Sequence, residues 1–109
     1  MEFSEMQKQA YETACLKGWH DKQVTFGEMI ALVHSELSEA LEEHRGGHKA
    51  NETYYREDGK PEGIPSELAD VVIRILDICG YFNIDLEAAI IEKMRFNENR
   101  PYRHGGKKL

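Results

Sequence analysis

The chain has 109 residues, of which 40% are hydrophobic and 31% charged, and its formal net charge is −6. This size and composition favour one globular domain whose thin hydrophobic core would gain from self-association. No apolar run approaches the roughly 20 residues of a membrane-spanning helix, and the first residues lack the pattern of a signal peptide. Cys15 and Cys79, without CxxC spacing, are expected to be buried thiols. We therefore expect a single cytoplasmic domain over residues 1–109, with no membrane partner.

The charge is unevenly divided along the chain. Residues 1–92 hold 8 basic and 19 acidic side chains, a net charge of −11, whereas residues 93–109 hold 6 basic and 1 acidic, a net charge of +5. An acidic body repels nucleic-acid backbones, which disfavours a nucleic-acid polymer as partner. The basic segment, taken alone, is more typical of a solvated terminus.

Hydrophobic periodicity predicts an all-α fold of four helices, interrupted by a long polar loop over residues 46–65. The first helix spans about residues 4–17. Ser4 and Gln7 have the spacing of a capping box, and Gly18 supplies a stop.

The second helix spans about residues 25–45 and begins with a capping box formed by Thr25 and Glu28. In the polar loop that follows, the pair Asp58-Gly59 has the composition of a small hairpin turn. The apolar stripe of the second helix is expected to face the core and consists of Ile30, Val33, Leu37 and Leu41.

The third helix spans about residues 66–79, with Pro65 or Ser66 at its start and Gly80 at its end. Its apolar stripe consists of Leu68, Val72, Ile75 and Leu76.

Two acidic pairs with i, i+3 spacing lie beside these apolar stripes. Glu36 and Glu39 are on the second helix, and Glu67 and Asp70 are on the third. Such a pair lies on one helix face, so two pairs on neighbouring helices bring four carboxylates together. Like-charge repulsion makes that arrangement costly without a cation, and oxygen ligands suit Mg²⁺ or Mn²⁺. A single pair of this kind is more typical of a solvated helix face.

Three further residues continue the two acidic faces. Glu43 lies one turn beyond Glu39 and is either a spare ligand or, more typically, a solvated glutamate. Arg74 and Asp77 are expected to form an i, i+3 ion pair at the rim of the site.

The fourth helix starts at Asp85 and ends before Pro101. Its residues Lys93, Asn97 and Arg100 share one face, and cations with an amide suit phosphate oxygens. The same cations are also common at the C-terminal end of a surface helix. The basic tail, residues 101–109, adds three weaker phosphate-binding candidates: Arg103, His104 and Lys107.

These motifs carry a family resemblance over roughly residues 25–107. The acidic residues resemble the E-x-x-E…E-x-x-D signature of MazG-like, all-α nucleotide pyrophosphohydrolases, and here they read Glu36-x-x-Glu39, 27 residues, Glu67-x-x-Asp70. The C-terminal segment is similar to that of a MazG-like subgroup and reads Lys93-x-x-x-Asn97-x-x-Arg100, then Pro101-Tyr102-Arg103-His104-Gly105-Gly106-Lys107. Some members carry one more glutamate before the first motif, where this chain has Ser35, and this leaves the number of metals open.

The resemblance implies Mg²⁺-dependent hydrolysis of a nucleoside triphosphate to the monophosphate and pyrophosphate. It assigns the metal to the four motif carboxylates, and the chemistry favours Glu39 for activating water. It implies aromatic base contacts near the first helix, for which Trp19 and then His20 are candidates, although Trp19 is equally typical of a packing anchor. It also implies a four-helix bundle assembled as a dimer or a dimer of dimers. The alternative is a non-enzymatic oligomeric adaptor or regulatory module whose acidic face binds a basic partner.

Overall fold

The computed structural model describes residues 1–101 of the chain. Its elements are α1 (Phe3–Leu16), α2 (Phe26–Arg45), β1 (Tyr54–Tyr55), β2 (Pro61–Glu62), α3 (Ile64–Tyr81) and α4 (Leu86–Glu98). The four predicted helices are therefore confirmed, and the fold described is predominantly helical. None of the helices in this part of the chain is long and apolar enough to cross a membrane.

The start of α1 differs from the predicted capping box. Glu2 is the N-cap residue and makes no side-chain capping bond, while Ser4 lies inside the helix. The Gln7 amide instead donates a hydrogen bond to the carbonyl oxygen of Ile84, at 2.9 Å. Gln7 thus bonds to a residue in the turn between α3 and α4 and not, as predicted, to the N-terminal end of its own helix. The predicted stop is confirmed, since Gly18 follows α1 with a φ of 83°.

The start of α2 matches its sequence signature. Thr25 is the N-cap residue, its hydroxyl accepts a hydrogen bond from the Glu28 amide, and the Glu28 side chain completes the capping box. The polar loop then folds back as the small hairpin indicated by Asp58-Gly59. The two strands are antiparallel, with Tyr54 opposite Glu62.

The third helix is longer than predicted at both ends. It begins with Pro65 in its first turn and continues through Gly80 to Tyr81. Gly80 does not stop the helix; a Cβ atom there would lie 2.6 Å from the Cβ of Tyr11. Glycine at this position therefore lets α1 pass unusually close to α3.

The third helix is the centre of the fold, because it packs against α1 on one side and α2 on another. The buried hydrophobic residues come from these three helices: Ala14, Met29, Ala40, Ile64, Leu76, Ile78 and Cys79. Cys79 is buried as expected, but Cys15 is exposed, which corrects that prediction.

Most of the predicted core stripes do not face this core. Leu37 and Leu41 on α2 are 49% and 56% exposed, and Leu68 and Val72 on α3 are 45% and 50% exposed. The buried residues of α2 are instead Met29 and Ala40, with the partly buried Glu36 between them. These members of the apolar stripes are therefore hydrophobic side chains that the described residues leave exposed, whereas Leu76 of the α3 stripe is buried in the core.

The fourth helix begins as predicted, with the Asp85 carboxylate accepting a hydrogen bond from the Ala88 amide at 3.1 Å. It contributes no buried residue and makes only sparse contacts with the other elements. The described chain is correspondingly extended, with a radius of gyration of 16.6 Å, against about 13 Å for a compact domain of this length. A single chain thus packs three of its four helices together.

Candidate metal centre

The two acidic pairs meet where α2 packs against α3. Single carboxylate oxygens of Glu36, Glu67 and Asp70 lie within 4.8 Å of one another, and we call these residues the first carboxylate set. Glu39 lies outside that mutual distance but shares a hydrogen bond with Glu67. The predicted ligands are therefore neighbours in space, with Glu67 at the centre.

Glu67 is the most unusual carboxylate of the group. Only 9% of it is exposed, and its Oε2 atom is buried without a hydrogen-bond partner. Burial raises its pKa to about 7, with further contributions from the hydrogen bond to Glu39 and from the charges of Glu39, Asp70 and Glu36. A buried carboxylate oxygen without a hydrogen-bond partner lowers the stability of the folded state.

The pKa of Asp70 is raised as well, first by burial and then by the charges of Glu36 and Glu39. Lys60 and Arg74 act against this rise in the pKa of Asp70 without outweighing it. A hard divalent cation would relieve the repulsion between these carboxyl groups, because it favours their ionised form. The residues present therefore fit Mg²⁺ or Mn²⁺, with Glu36, Glu67 and Asp70 as the nearest ligands and Glu39 beside them.

Arg74 extends from the first carboxylate set towards a pocket. Its Nε donates a hydrogen bond to Oε1 of Glu36 at 2.8 Å, and its guanidinium carbon lies 4.9 Å from the centre of the Trp19 ring. The expected ion pair between Arg74 and Asp77 is wrong, because Asp77 bonds to His20 instead, with 2.7 Å between Oδ1 and Nε2. The two α3 side chains are thus directed to different neighbours.

The pocket beside Arg74 has a volume of about 190 Å³ and is lined by both predicted base-binding residues. His20 is largely buried, paired with Asp77, and stacked on Tyr81 with 4.6 Å between ring centres. Trp19 is 45% exposed. The imidazole is therefore fixed in the pocket wall, whereas the indole presents an accessible surface.

A second group of carboxylates adjoins the first and was only partly anticipated from the sequence. Oxygen atoms of Glu43, Glu62 and Glu67 also lie within 4.8 Å of one another, and we call these residues the second carboxylate set. Glu43 is not simply solvated, because both its oxygens accept hydrogen bonds from the Tyr54 hydroxyl, at 2.9 and 3.0 Å. That bond is the main reason why the pKa of Tyr54 is raised to about 12.

Glu62 is the residue that sequence reasoning missed. It lies on β2, five residues before Glu67, so no helical spacing connects the two. The only sequence signal was the hairpin turn at Asp58-Gly59, which returns the chain towards the start of α3.

The predicted phosphate-binding residues Lys93 and Asn97 lie on α4, but Arg100 lies beyond its last residue, Glu98, so the predicted helix face does not extend to it. Within the described chain, none of the three is brought to the carboxylates. Lys93 and Arg100 instead lie over the Phe96 ring, with 5.6 and 5.9 Å from their charged groups to the ring centre. The described residues show no hydrogen bond or ion pair from Lys93, Asn97 or Arg100 to either carboxylate set. The other three candidates lie outside the described residues: Arg103, His104 and Lys107.

Comparisons of the chain with family models, with curated proteins and with solved structures found no match. The functional interpretation therefore depends on the motif residues and on the geometry given above.

Proposed function

We propose that the protein hydrolyses a (deoxy)nucleoside triphosphate to the nucleoside monophosphate and pyrophosphate with Mg²⁺, or alternatively Mn²⁺, bound to the four motif carboxylates. The observation that carries this proposal is the convergence of Glu36, Glu67 and Asp70 around a buried, partnerless carboxylate oxygen. A site that is acidic by itself and accepts a divalent cation is suited to a polyphosphate, because the cation offsets the charge of both. The MazG-like resemblance of the motifs points to the same reaction.

In this proposal Glu36, Glu67 and Asp70, with Glu39 beside them, would hold the divalent cation, which would supply positive charge against the charge that develops on the bridging oxygen. Glu39 orients and deprotonates the attacking water, since it is the more exposed of the two motif carboxylates on α2. One phosphorus–oxygen bond forms to the water oxygen, and the phosphoanhydride bond to the leaving phosphate breaks. Arg74 holds Glu36 in position through its 2.8 Å hydrogen bond.

The pocket beside Arg74 is proposed to take the base of the nucleotide. Its position next to the first carboxylate set suits a molecule with phosphates at one end and an aromatic ring at the other. Trp19 offers a surface for stacking, and the buried pair of His20 and Asp77 keeps the pocket wall in place.

The active form is proposed to be a homo-oligomer, a dimer or a dimer of dimers. Leu41 and Val72 are more than half and about half exposed, respectively, and α4 has no buried residue. A second copy that covers these surfaces would also give the α4 cations a route to a neighbouring site. Sedimentation at micromolar concentration measures this directly, and a 12.6 kDa species alone would contradict the proposed assembly.

In the cell, this activity would serve nucleotide-pool house-cleaning in the cytoplasm. The decisive experiment is a panel of standard and damaged nucleoside triphosphates, incubated with the protein and Mg²⁺ and scored for pyrophosphate. We expect at least one substrate, and we expect Glu39→Gln and Asp70→Asn to abolish its turnover.

A matched control is Glu12→Gln on α1, which removes the same charge from an exposed position far along the sequence from both motifs. We expect it to keep full activity. If no triphosphate yields pyrophosphate, or if the two motif variants remain as active as the control, the proposed function is wrong. The non-enzymatic adaptor would then be the better interpretation of the acidic face.

A further inference from the structure

The second carboxylate set continues the first along the same helix interface. Glu43 lies seven residues after Glu36 on α2, which places the two about 10 Å apart on one helix face. On α2 the residue of the first set precedes that of the second set along the chain. Around α3 the sequence order is opposite, since Glu62 of the second set precedes the helix and Asp70 of the first set lies within it. Glu67 belongs to both sets and therefore lies between them.

The buried, partnerless Oε2 of Glu67 is the independent sign of a missing ligand in this region. A carboxylate oxygen has two lone pairs, and the single hydrogen bond shared with Glu39 leaves most of the acceptor capacity of Glu67 unused. A group that is 91% buried cannot satisfy that capacity with bulk water. Bridging two cations would use both oxygens.

The remaining members of the second set are held in place but poorly neutralised. The Tyr54 hydroxyl orients Glu43, and Nε2 of His48 lies 3.4 Å from Oε2 of the same carboxylate. Glu62 has only long contacts to exposed cations, at 3.9 Å from Arg56 and 3.8 Å from Lys60. Such loose pairs offset little of its charge.

Space for an ion is available beside these groups. An open cavity of about 420 Å³ is lined by Glu39, Glu43, His48, Tyr54 and Glu67. A divalent cation that keeps several water ligands needs such an opening, and phosphate oxygens can replace those waters.

We infer that Glu43, Glu62 and Glu67 hold a second hard divalent cation, Mg²⁺ or Mn²⁺, and that Glu67 bridges it to the cation of the first carboxylate set. This inference rests on the proposed first cation site, because Glu67 is common to both. The second cation would hold phosphate oxygens at the end of the cleft formed by the hairpin. The loop over residues 46–65 thereby becomes part of the metal centre.

The test is a titration of the metal-free, full-length protein with Mn²⁺, followed by electron paramagnetic resonance without any nucleotide. Free Mn²⁺ gives a signal that is lost on binding, and two Mn²⁺ ions sharing a carboxylate give a spin-coupled spectrum. We expect the wild-type chain to bind two ions and to show that coupling at saturation. Glu62→Gln should lower the affinity for the second Mn²⁺ at least tenfold and abolish the spin coupling, while the first Mn²⁺ stays bound.

Glu43→Gln provides an independent check, because the substitution is on α2, outside the hairpin, and should give the same result. The matched control is Glu57→Gln, an exposed glutamate in the same hairpin, which removes the same charge and should still bind two coupled ions. Circular dichroism on each variant confirms that it is folded.

One bound Mn²⁺ in the wild-type chain would overturn the inference, and so would two ions whose binding is the same in Glu62→Gln, Glu43→Gln and the control. Neither result affects the proposed function, which is tested separately by pyrophosphate release and by the Glu39→Gln and Asp70→Asn variants. Release of pyrophosphate by a chain that binds one ion would leave the proposed function standing and this inference refuted.

Discussion

The acidic interface between α2 and α3 and the basic helix α4 differ in how completely one chain builds them. Carboxylate oxygens of Glu36, Glu67 and Asp70 lie close together at the interface, Arg74 donates a hydrogen bond to Glu36, and Glu67 is 9% exposed. On α4 no residue is buried, and Lys93 and Arg100 lie over the ring of Phe96. Both regions have helical spacing in the sequence, but among residues 1–101 the first packs closely between two helices and the second has only sparse contacts. Regular spacing therefore identifies a functional face, while packing decides whether a single chain completes it.

The largest expected effect comes from the centre of the acidic interface. Glu67→Gln keeps the side-chain volume but removes a ligand from both carboxylate sets. We expect pyrophosphate release to fall roughly 100-fold or more, since a main source of transition-state charge neutralisation is lost. Steady-state kinetics over a range of Mg²⁺ concentrations measures this, and activity within twofold of wild type would contradict the role of Glu67.

A smaller effect is expected just beyond the end of α4, at Arg100. Arg100→Ala should lower kcat/KM for the triphosphate about tenfold or somewhat more, because one charge-assisted contact to phosphate contributes about 1.5–3 kcal/mol. The binding of Mn²⁺ in the absence of nucleotide should not change. The control is Arg95→Ala, which removes the same charge from another face of α4. Equal losses in the two variants would indicate a general charge effect and not a phosphate contact.

A comparable or smaller effect is expected in the pocket beside Arg74. Trp19→Ala should raise KM roughly tenfold while kcat changes little, since stacking on an aromatic ring contributes about 1–3 kcal/mol per base. Trp19→Phe retains an aromatic face and should recover part of the affinity. If Trp19 is only a packing anchor, both variants will lower thermal stability and leave KM unchanged.

The smallest expected effect is a change of thermal stability with pH in the metal-free protein. The pKa of Glu67 is raised from its usual 4.5 to about 7 in the folded state, so the folded protein holds more protons than the unfolded chain between these values. Stability should therefore fall as pH rises through this window, and above pH 7 the whole penalty is present. We expect the melting temperature in a chelator to be roughly 5 °C higher at pH 5.5 than at pH 8.

The same measurement on Glu67→Gln isolates the contribution of this carboxyl group, because Asp70 shifts in the same direction and remains in the variant. We expect the variant to lose most of the pH dependence of its melting temperature. We also expect added Mg²⁺ to raise the melting temperature of the wild type at pH 8 but not at pH 5.5. An identical pH profile in the two proteins would show that the Glu67 proton is not the cause.

The helices and the first carboxylate set could be predicted because they depend on local spacing. Thr25 and Glu28 fix the start of α2 through contacts three residues apart, and the i, i+3 pairs place their carboxylates on one face before any packing is known. The place of Glu62 could not be predicted in the same way. It depends on how a two-residue hairpin returns to α3, which no periodicity encodes.

The core was the less predictable part of the fold. A stripe that contains Leu37 or Leu68 shows which face of a helix avoids water, but not whether its own chain or another copy covers that face. Gly80 illustrates a similar limit, because the same residue type ends helices and permits close helix contact. The approach of Tyr11, 69 residues earlier, decides between the two.

The hydrogen bond from Gln7 to the carbonyl oxygen of Ile84 has a consequence for assembly. It joins the first helix to the turn from which α4 departs, and α4 has few other constraints on its direction. A side chain near the N-terminus thus helps to set the direction of α4, which leads to the cations proposed to bind phosphate. In the proposed oligomer, changes in α1 would alter how copies of the chain meet while the carboxylates between α2 and α3 stay where they are.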